Sequence, residues 1–486
     1  MVHSTTNPKL PSYVHPALRE HQPDLDRAFD AYRRLRGEGV KAKYLPKEVE
    51  EPDDSYQSRL DRSVFPDFFR EALAGYAGIL SEFTLSSPPA TFEAATDDID
   101  REGNSIVAWL QRADTLMLRD GGVWLRVEMP AGQASSSAEE VITDRRPYLV
   151  ANPRSQVINW RTSVEDGREQ LEWVIVREED EEPDDFGVKI VVRYRMIGRG
   201  EWTLYEIQQE GKKEPEAVIV DDGVYLGADQ NPLPVCPVIW YRADEGNGFG
   251  RGELPMRQVV EHSIEHFLTR SDLNEKRRRC SMPVPWVKGR LARTGPDGQP
   301  LRMAIGPNTI VELDENGNFG FAEPSASSLS DQRQGVLDVE QLIRSQTLGF
   351  LYGESGAVKT ATQAGMEGAQ TESAIKRLAL RKSSAMQQLM AIWCLFTGET
   401  LDPGAGLSMS STIFERPMEA ADVDQLQKLA GGVELMSQRS AIEELIRRGK
   451  NRSVTSVDDE LQRLVAETPE PADEPGVNDF GAMPPE

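Results

Sequence analysis

Apolar side chains recur at Phe65, Phe68, Phe69, Leu73, Tyr76 and Leu80, a three-and-four spacing that predicts an amphipathic helix over residues 62–82. Similar patterning predicts helices over 20–36 and 98–118. Beyond them the period changes. GGVWLRVEMP, RPYLVANP, QVINW, LEWVIVRE, VKIVVRYRMI, EWTLYEI and EAVIVDDGVYL are short runs rich in Val, Ile, Trp and Tyr, separated by turn residues. Such runs predict antiparallel strands, so a helical preface and a sheet-rich region fill residues 1–245.

After the glycine-rich GNGFGRGE the helical period returns over 254–280, with Met256, Val260, Ile264, Phe267 and Leu268 as its apolar stripe. Pro283 and Pro285 end it. A small β segment follows: PVPWVKG, a turn at TGPDGQP, TIVELD, a second turn at ENGN, and FGFAEP. A second helix is predicted over 327–348 on Leu329, Val336, Val339 and Ile343. The glycine-rich stretch 349–368 lacks a helical stripe and reads as a loop. A third helix, 371–396, aligns Ile375, Leu378, Ala385, Leu389, Trp393 and Phe396 on one face. Short helices over 422–448 and 456–466 precede a proline- and acid-rich tail read as disordered. The first two of the three long helices can run side by side with the β segment at their tip. Neither offers a broad apolar surface for a monomer core, and such helices commonly pack against copies of themselves in a ring.

The charge balance narrows the partners. The 486-residue chain carries a formal charge of −25. Tight sequence-independent DNA binding needs Lys and Arg to displace counterions from phosphates, so DNA can meet this chain only at a few points. Much of the acid lies in blocks such as Glu178–Asp185 (EEDEEPDD), which reads as a solvated loop. No run reaches the roughly 18–20 apolar residues of a membrane span. The N-terminus has no signal-peptide pattern, and Cys236, Cys280 and Cys394 are widely spaced, which predicts reduced thiols and a cytoplasmic setting.

Two motifs imitate enzyme sites. Gly353-Glu-Ser-Gly-Ala-Val-Lys359-Thr360 is one residue from a phosphate-binding loop, but Val358 stands where glycine must let the backbone wrap a phosphate. A helix rather than a strand precedes it. His262-Ser-Ile-Glu265-His266 fits HxxEH, in which two histidines one helical turn apart bind zinc and the glutamate serves as base. That alternative makes the chain a zinc metalloprotease; the plain reading is a helix face bearing two histidines. The run Lys276-Arg277-Arg278-Arg279 reads either as a phosphate-contact patch or as a solvated helix end favoured by the helix dipole. Phe65, Phe68 and Phe69 read as core. No cofactor is implied.

The run Tyr44-Leu45-Pro46-Lys47, then Tyr56 and Arg59-Leu60 before a Phe-rich helix, resembles the start of the phage-associated portal-like family. So do Pro232-Leu233-Pro234 and Pro237-Val238 before a glycine stretch, and ATQAGMEGAQTESAIKRLA at the opening of the third long helix. The element order agrees over nearly the whole chain. The resemblance implies an α+β portal-type fold: an antiparallel β-rich wing (1–250), stem helices (251–282 and 326–348), a small β clip (283–325), a tunnel loop (349–368), a long helix returning to the wing (369–418), a C-terminal helical crown (419–466) and an acidic tail (467–486). It further implies a structural ring of the capsid vertex, typically of twelve subunits, without catalytic residues. Double-stranded DNA would pass through it during packaging and ejection. Terminase, major capsid protein and head-tail adaptors would dock on it, in the host cytoplasm and then in the virion. Another head-tail connector component is the alternative within the virion. The DNA-facing residues of the tunnel loop would be Lys359, Thr360, Thr362 and Gln363, with Lys359 the loop's basic residue.

Overall fold

The computed structural model describes residues 7–130, 145–209, 214–244, 248–281, 284–290, 313–322, 329–347 and 361–409, together with Arg439, Ser440, Asp458 and Gln462. The chain divides into two units, 1–409 and 410–486. In the second, Arg439 and Asp458 pair at 3.2 Å, and the helices expected over 422–448 and 456–466 lie outside the described residues apart from these few positions. The first unit is mixed α and β, with antiparallel sheets.

Its first helices are α1 (Pro16–Tyr32), α2 (Val40–Tyr44), α3 (Asp53–Arg62) and α4 (Phe68–Leu80). α1 starts earlier than its apolar spacing suggests. Proline suits a first helical position, and the His15 ring accepts the Ala17 N–H. The helix expected over 62–82 is interrupted by Pro66, which disfavours helical backbone at Phe65, so α3 ends at Arg62 and α4 begins at Phe68. Phe65 is buried from the connection instead, its ring 5.7 Å from that of Phe267. Strand β1 (Phe83–Ser86) and α5 (Ala90–Ala94) lead to α6 (Ile106–Asp120). α6 starts later than 98 because the Asp100 carboxylate accepts the N–H groups of Glu102 and Asn104, folding 98–104 into a loop. Ser105 then caps the helix through Ala108 N.

Strands β2 (Gly122–Glu128), β3 (Tyr148–Pro153) and β9 (Val238–Arg242) form a three-stranded sheet in the order β3-β2-β9. Strands β4 (Val157–Glu165), β5 (Arg168–Asp184), β6 (Gly187–Gly198), β7 (Glu201–Gln208) and β8 (Glu216–Val224) form a five-stranded meander. A tryptophan cluster joins the sheets. Trp124 of β2 faces Trp240 of β9 at 4.8 Å between centroids and Trp160 of β4 at 5.5 Å.

The acidic block Glu178–Asp185 is not a loop. It forms the outer half of β5, paired with β6 from Glu178↔Arg193 to Asp184↔Gly187. Its acidic residues have poor strand propensity, but cross-strand arginines compensate: Arg193 pairs with Asp180 at 2.9 Å and with Glu182, and Arg195 pairs with Glu178 at 2.9 Å. β4 pairs with β5 only as far as Val176, and β7 reaches β6 only from Arg193. Residues 181–190 therefore project beyond the described sheet as a two-stranded ribbon, with Val191 buried at its base.

The helices α7 (Arg257–Cys280), α8 (Leu329–Gln346) and α9 (Ala361–Thr397) follow, with strands β10 (Val284–Arg290) and β11 (Leu313–Ala322) between α7 and α8. ENGN makes no turn. It lies within β11 at a bulge: Asn318 pairs with Lys288 and Leu313 with Arg290, so residues 314–317 stand opposite Gly289 alone. α9 begins at Ala361, so 361–368 is helical where a loop was expected, and 349–360 lies outside the described residues. Strand β12 (Gly406–Met409) pairs with β1. The stripe Ile375, Leu378, Ala385, Leu389, Trp393 and Phe396 is buried, and α9 packs on α4, α5, β2 and β9. Cys236 and Cys394 are buried and Cys280 is half-buried.

Candidate functional site: a helical arm, its anchors and a groove

The arm consists of α7, the β10–β11 hairpin and α8. The first half of α7 belongs to the body: Val259, Val260 and Phe267 are buried, and α7 packs on α1 and α4. Ser271 Oγ lies 3.0 Å from Ser63 Oγ, and from Asn274 onward α7 buries no further side chain among the described residues. α8 packs along α7 and buries only Val336 and Ile343, leaving Leu337 and Leu342 exposed. Two helices with so few buried apolar positions hold together weakly by themselves.

A histidine strengthens the pair. His266 is fully buried, its Nε2 2.9 Å from Glu340 Oε1 on α8, and Phe68 packs edge-on against its ring at 5.3 Å. Among the described residues its Nδ1 is buried without a hydrogen-bond partner. The HxxEH pattern is thereby split: His266 is engaged across to Glu340, the His262 Nδ1 sits 2.7 Å from Gln258 O, and Glu265 is exposed. Among the described residues no group of three or more His, Cys, Asp or Glu side chains is placed to hold a metal ion. Of the basic run, Lys276 is half-buried and Arg277 and Arg278 are exposed, while the Arg279 side chain lies outside the described residues. Lys359 and Thr360 also lie outside them. Thr362 and Gln363 stand in the first turn of α9, their side chains likewise outside the described residues.

Two anchors join these helices to the sheets. At the end of α6, Gly121 takes a left-handed φ of +77° and the strap 250–253 crosses directly over it; a Cβ there would come within 2.6 Å of Glu253 O. The buried Arg154 fastens the crossing, its Nη1 donating to Asp120 O at 3.0 Å and to Gly252 O at 2.7 Å. Burial pulls this guanidinium down to about 10, with Asp120 and Asp244 opposing the fall, so it stays charged at neutral pH.

The second anchor lies beneath α9. Lys382 Nζ donates to Asp114 Oδ2 at 2.7 Å and to Leu80 O at 2.6 Å, and the Tyr241 hydroxyl donates to Asp114 Oδ1 at 2.8 Å. All three side chains are buried. Burial pushes the Asp114 carboxyl up and the Lys382 ammonium down, and each partner offsets the other's shift. One ion pair thus ties α4, α6, β9 and α9 together. Its signal was present in the sequence: Lys382 fills the gap between Leu378 and Ala385 on the apolar stripe, and Asp114 stands one turn from Leu110 and Leu118.

Beside this anchor is a groove of about 890 Å³ between α9 and the stretches 240–244 and 248–255. Trp240, Phe249, Pro255 and Leu378 give it an apolar lining. Among the described residues its charged lining is Arg242, Arg377 and Arg381 with Glu169 and Asp244.

A family model described as a domain of unknown function, DUF4055, matches residues 255–397, the span from the start of α7 to the end of α9. No curated protein sequence matches the chain. Among solved structures, the chain is similar to one from the virion of a native gene transfer agent (GTA) particle, at TM-score 0.39 and 12% identity, covering 87% of this chain and 99% of that one. It is also similar to chains from the neck of an empty GTA particle computed with C6 symmetry (0.39, 13%, 84% and 96%) and from the neck of a native GTA particle computed with C12 symmetry (0.37, 12%, 82% and 95%). Likeness at this level fixes neither a shared fold nor a shared role.

Proposed function

We propose that the chain is one subunit of a portal-type ring, a structural channel of a phage-like particle through which double-stranded DNA passes. The observation that carries this reading is the arm. α7 is about 36 Å long at 1.5 Å per residue, and its outer end, the β10–β11 hairpin and α8 leave the body with few buried apolar side chains. Helices so exposed are covered when copies pack side by side around an axis. The charge of −25 per chain suits a channel, because a ring of such subunits repels phosphate and lets DNA slide. Lys359, with Thr360, Thr362 and Gln363, is the proposed point of DNA contact between α8 and α9. The role assigns no residue to catalysis, and the proposed partners are those of a packaging vertex: terminase, capsid protein and head-tail adaptors.

Electron microscopy of the purified full chain, with metal analysis of the same sample, tests the reading. Closed rings with a central hole are the expected result. A stable monomer at micromolar concentration overturns the ring. Zinc near one per chain, lost on His262→Ala, would replace it with the metalloprotease alternative.

A further inference from the structure

The projecting ribbon and the groove complement each other in shape and chemistry. At the ribbon's tip Phe186 is fully exposed, and Val188 and Ile190 are 61% and 60% exposed. The latter two share one face by the two-residue period of a strand. An isolated hairpin with three uncovered large apolar side chains is prone to pair with other chains unless something covers it. Around them stand the carboxylates of Glu179, Glu181, Asp184 and Asp185. The groove offers the counterpart: an apolar lining, the Arg377 guanidinium, and at its rim Leu380, 70% exposed.

The ribbon cannot reach the groove of its own chain. Glu169, at the inner end of β5, lines the groove, whereas Asp184 ends the same strand at the tip. Fifteen residues of strand at about 3.3 Å each put roughly 50 Å between them. The occupant is therefore a second copy. A contact between two different patches of identical chains is heterologous, and repeating it closes a ring or extends a filament.

We infer that the tip of the β5–β6 ribbon of one subunit docks in the neighbouring subunit's groove between α9 and the stretches 240–244 and 248–255, Phe186 and Val188 on the apolar lining and the tip carboxylates beside Arg377. The inference deepens the ring reading, for it names a contact by which subunits join. A groove of this volume accepts the tip of a hairpin, not its whole length.

The test is a paired-cysteine variant, Phe186→Cys with Leu380→Cys in a Cys280→Ser background; the remaining Cys236 and Cys394 are buried. Mild oxidation of the assembled full chain should give a ladder of covalent oligomers on a non-reducing gel, absent from either single-cysteine variant. Closed rings without this ladder overturn the docking and leave the ring reading standing. The ladder with open filaments instead of rings supports the docking and overturns the channel. A second variant guards against misfolding. Replacing 181–190 with Asn-Gly joins Asp180 to Val191, which already face each other across the strands, through a two-residue turn and keeps the buried Val191. It should melt like the parent yet need at least about tenfold higher concentration for half-assembly, the change expected on losing a tightly packed anchor contact. Assembly at the parent's concentration overturns the inference.

Discussion

The C-terminal half of α9 and the β5–β6 ribbon are built on the same interaction, a basic side chain paired with carboxylates, in opposite surroundings. On α9 the pair Lys382–Asp114 is enclosed by apolar side chains, with Met386, Leu389 and Trp393 below 1% exposed on the turns that follow. On the ribbon, Arg193 pairs with Asp180 and Glu182, both 43% exposed, in a stretch with no third strand beside it among the described residues. Desolvation decides what each pair does. A buried pair contributes little net stability while intact, but removing one partner strands a charge in an apolar interior. A pair in water is screened, and its loss costs little. The first pair fixes where α9 sits; the second lets an acidic sequence lie down as a strand.

The largest effect expected from this contrast is at Lys382. Lys382→Ala leaves Asp114 buried without its ammonium partner, a loss of about 3–5 kcal/mol, read as a fall in denaturant midpoint. The double variant Lys382→Met with Asp114→Leu removes both charges and should recover most of that loss. If the double variant is as unstable as the single one, the pair holds α9 by attraction and not merely by the penalty of separating it. An intermediate effect is expected at the strap. Gly121→Ala forces left-handed backbone on a residue with a Cβ and pushes that Cβ against Glu253 O, disturbing the acceptor pair of Arg154. The cost should be about 2 kcal/mol, measured by the same unfolding transition.

How far sequence reveals this molecule follows the same division. Stripes of three and four found the long helices, and runs of Val, Ile, Trp and Tyr between turn residues found the strands, because both signals are local to an element. Boundaries set by a single residue escaped that reading: Pro66 separates α3 from α4, and the Asp100 loop delays α6. The Glu178–Asp185 block was hidden for another reason. Its partners, Arg193 and Arg195, lie across a hairpin, and composition alone does not show the pairing. At the histidine pair, HxxEH is a pattern of five adjacent residues, whereas the group that engages His266 is Glu340, 74 positions away. Lys382 was visible as a break in an apolar stripe, but naming Asp114 as its partner required the fold that brings the two side chains together across 268 positions.

The smallest expected effect sharpens the comparison most. Arg193→Ala removes the clamp on Asp180 and Glu182 and leaves the ribbon's backbone pairing with β6 intact. Because solvent reaches both carboxylates, the melting temperature of the unassembled chain should move by less than about 2 °C. The parent should show the same insensitivity when salt rises to about 1 M, where screening acts within about 3 Å. Assembly should respond differently: with Arg193 gone the ribbon carries one more net negative charge and a looser tip, so half-assembly should shift with salt more steeply than in the parent. A drop of the melting temperature comparable to that of Lys382→Ala would show that the ribbon belongs to the folded core, and the distinction between the two regions would fall.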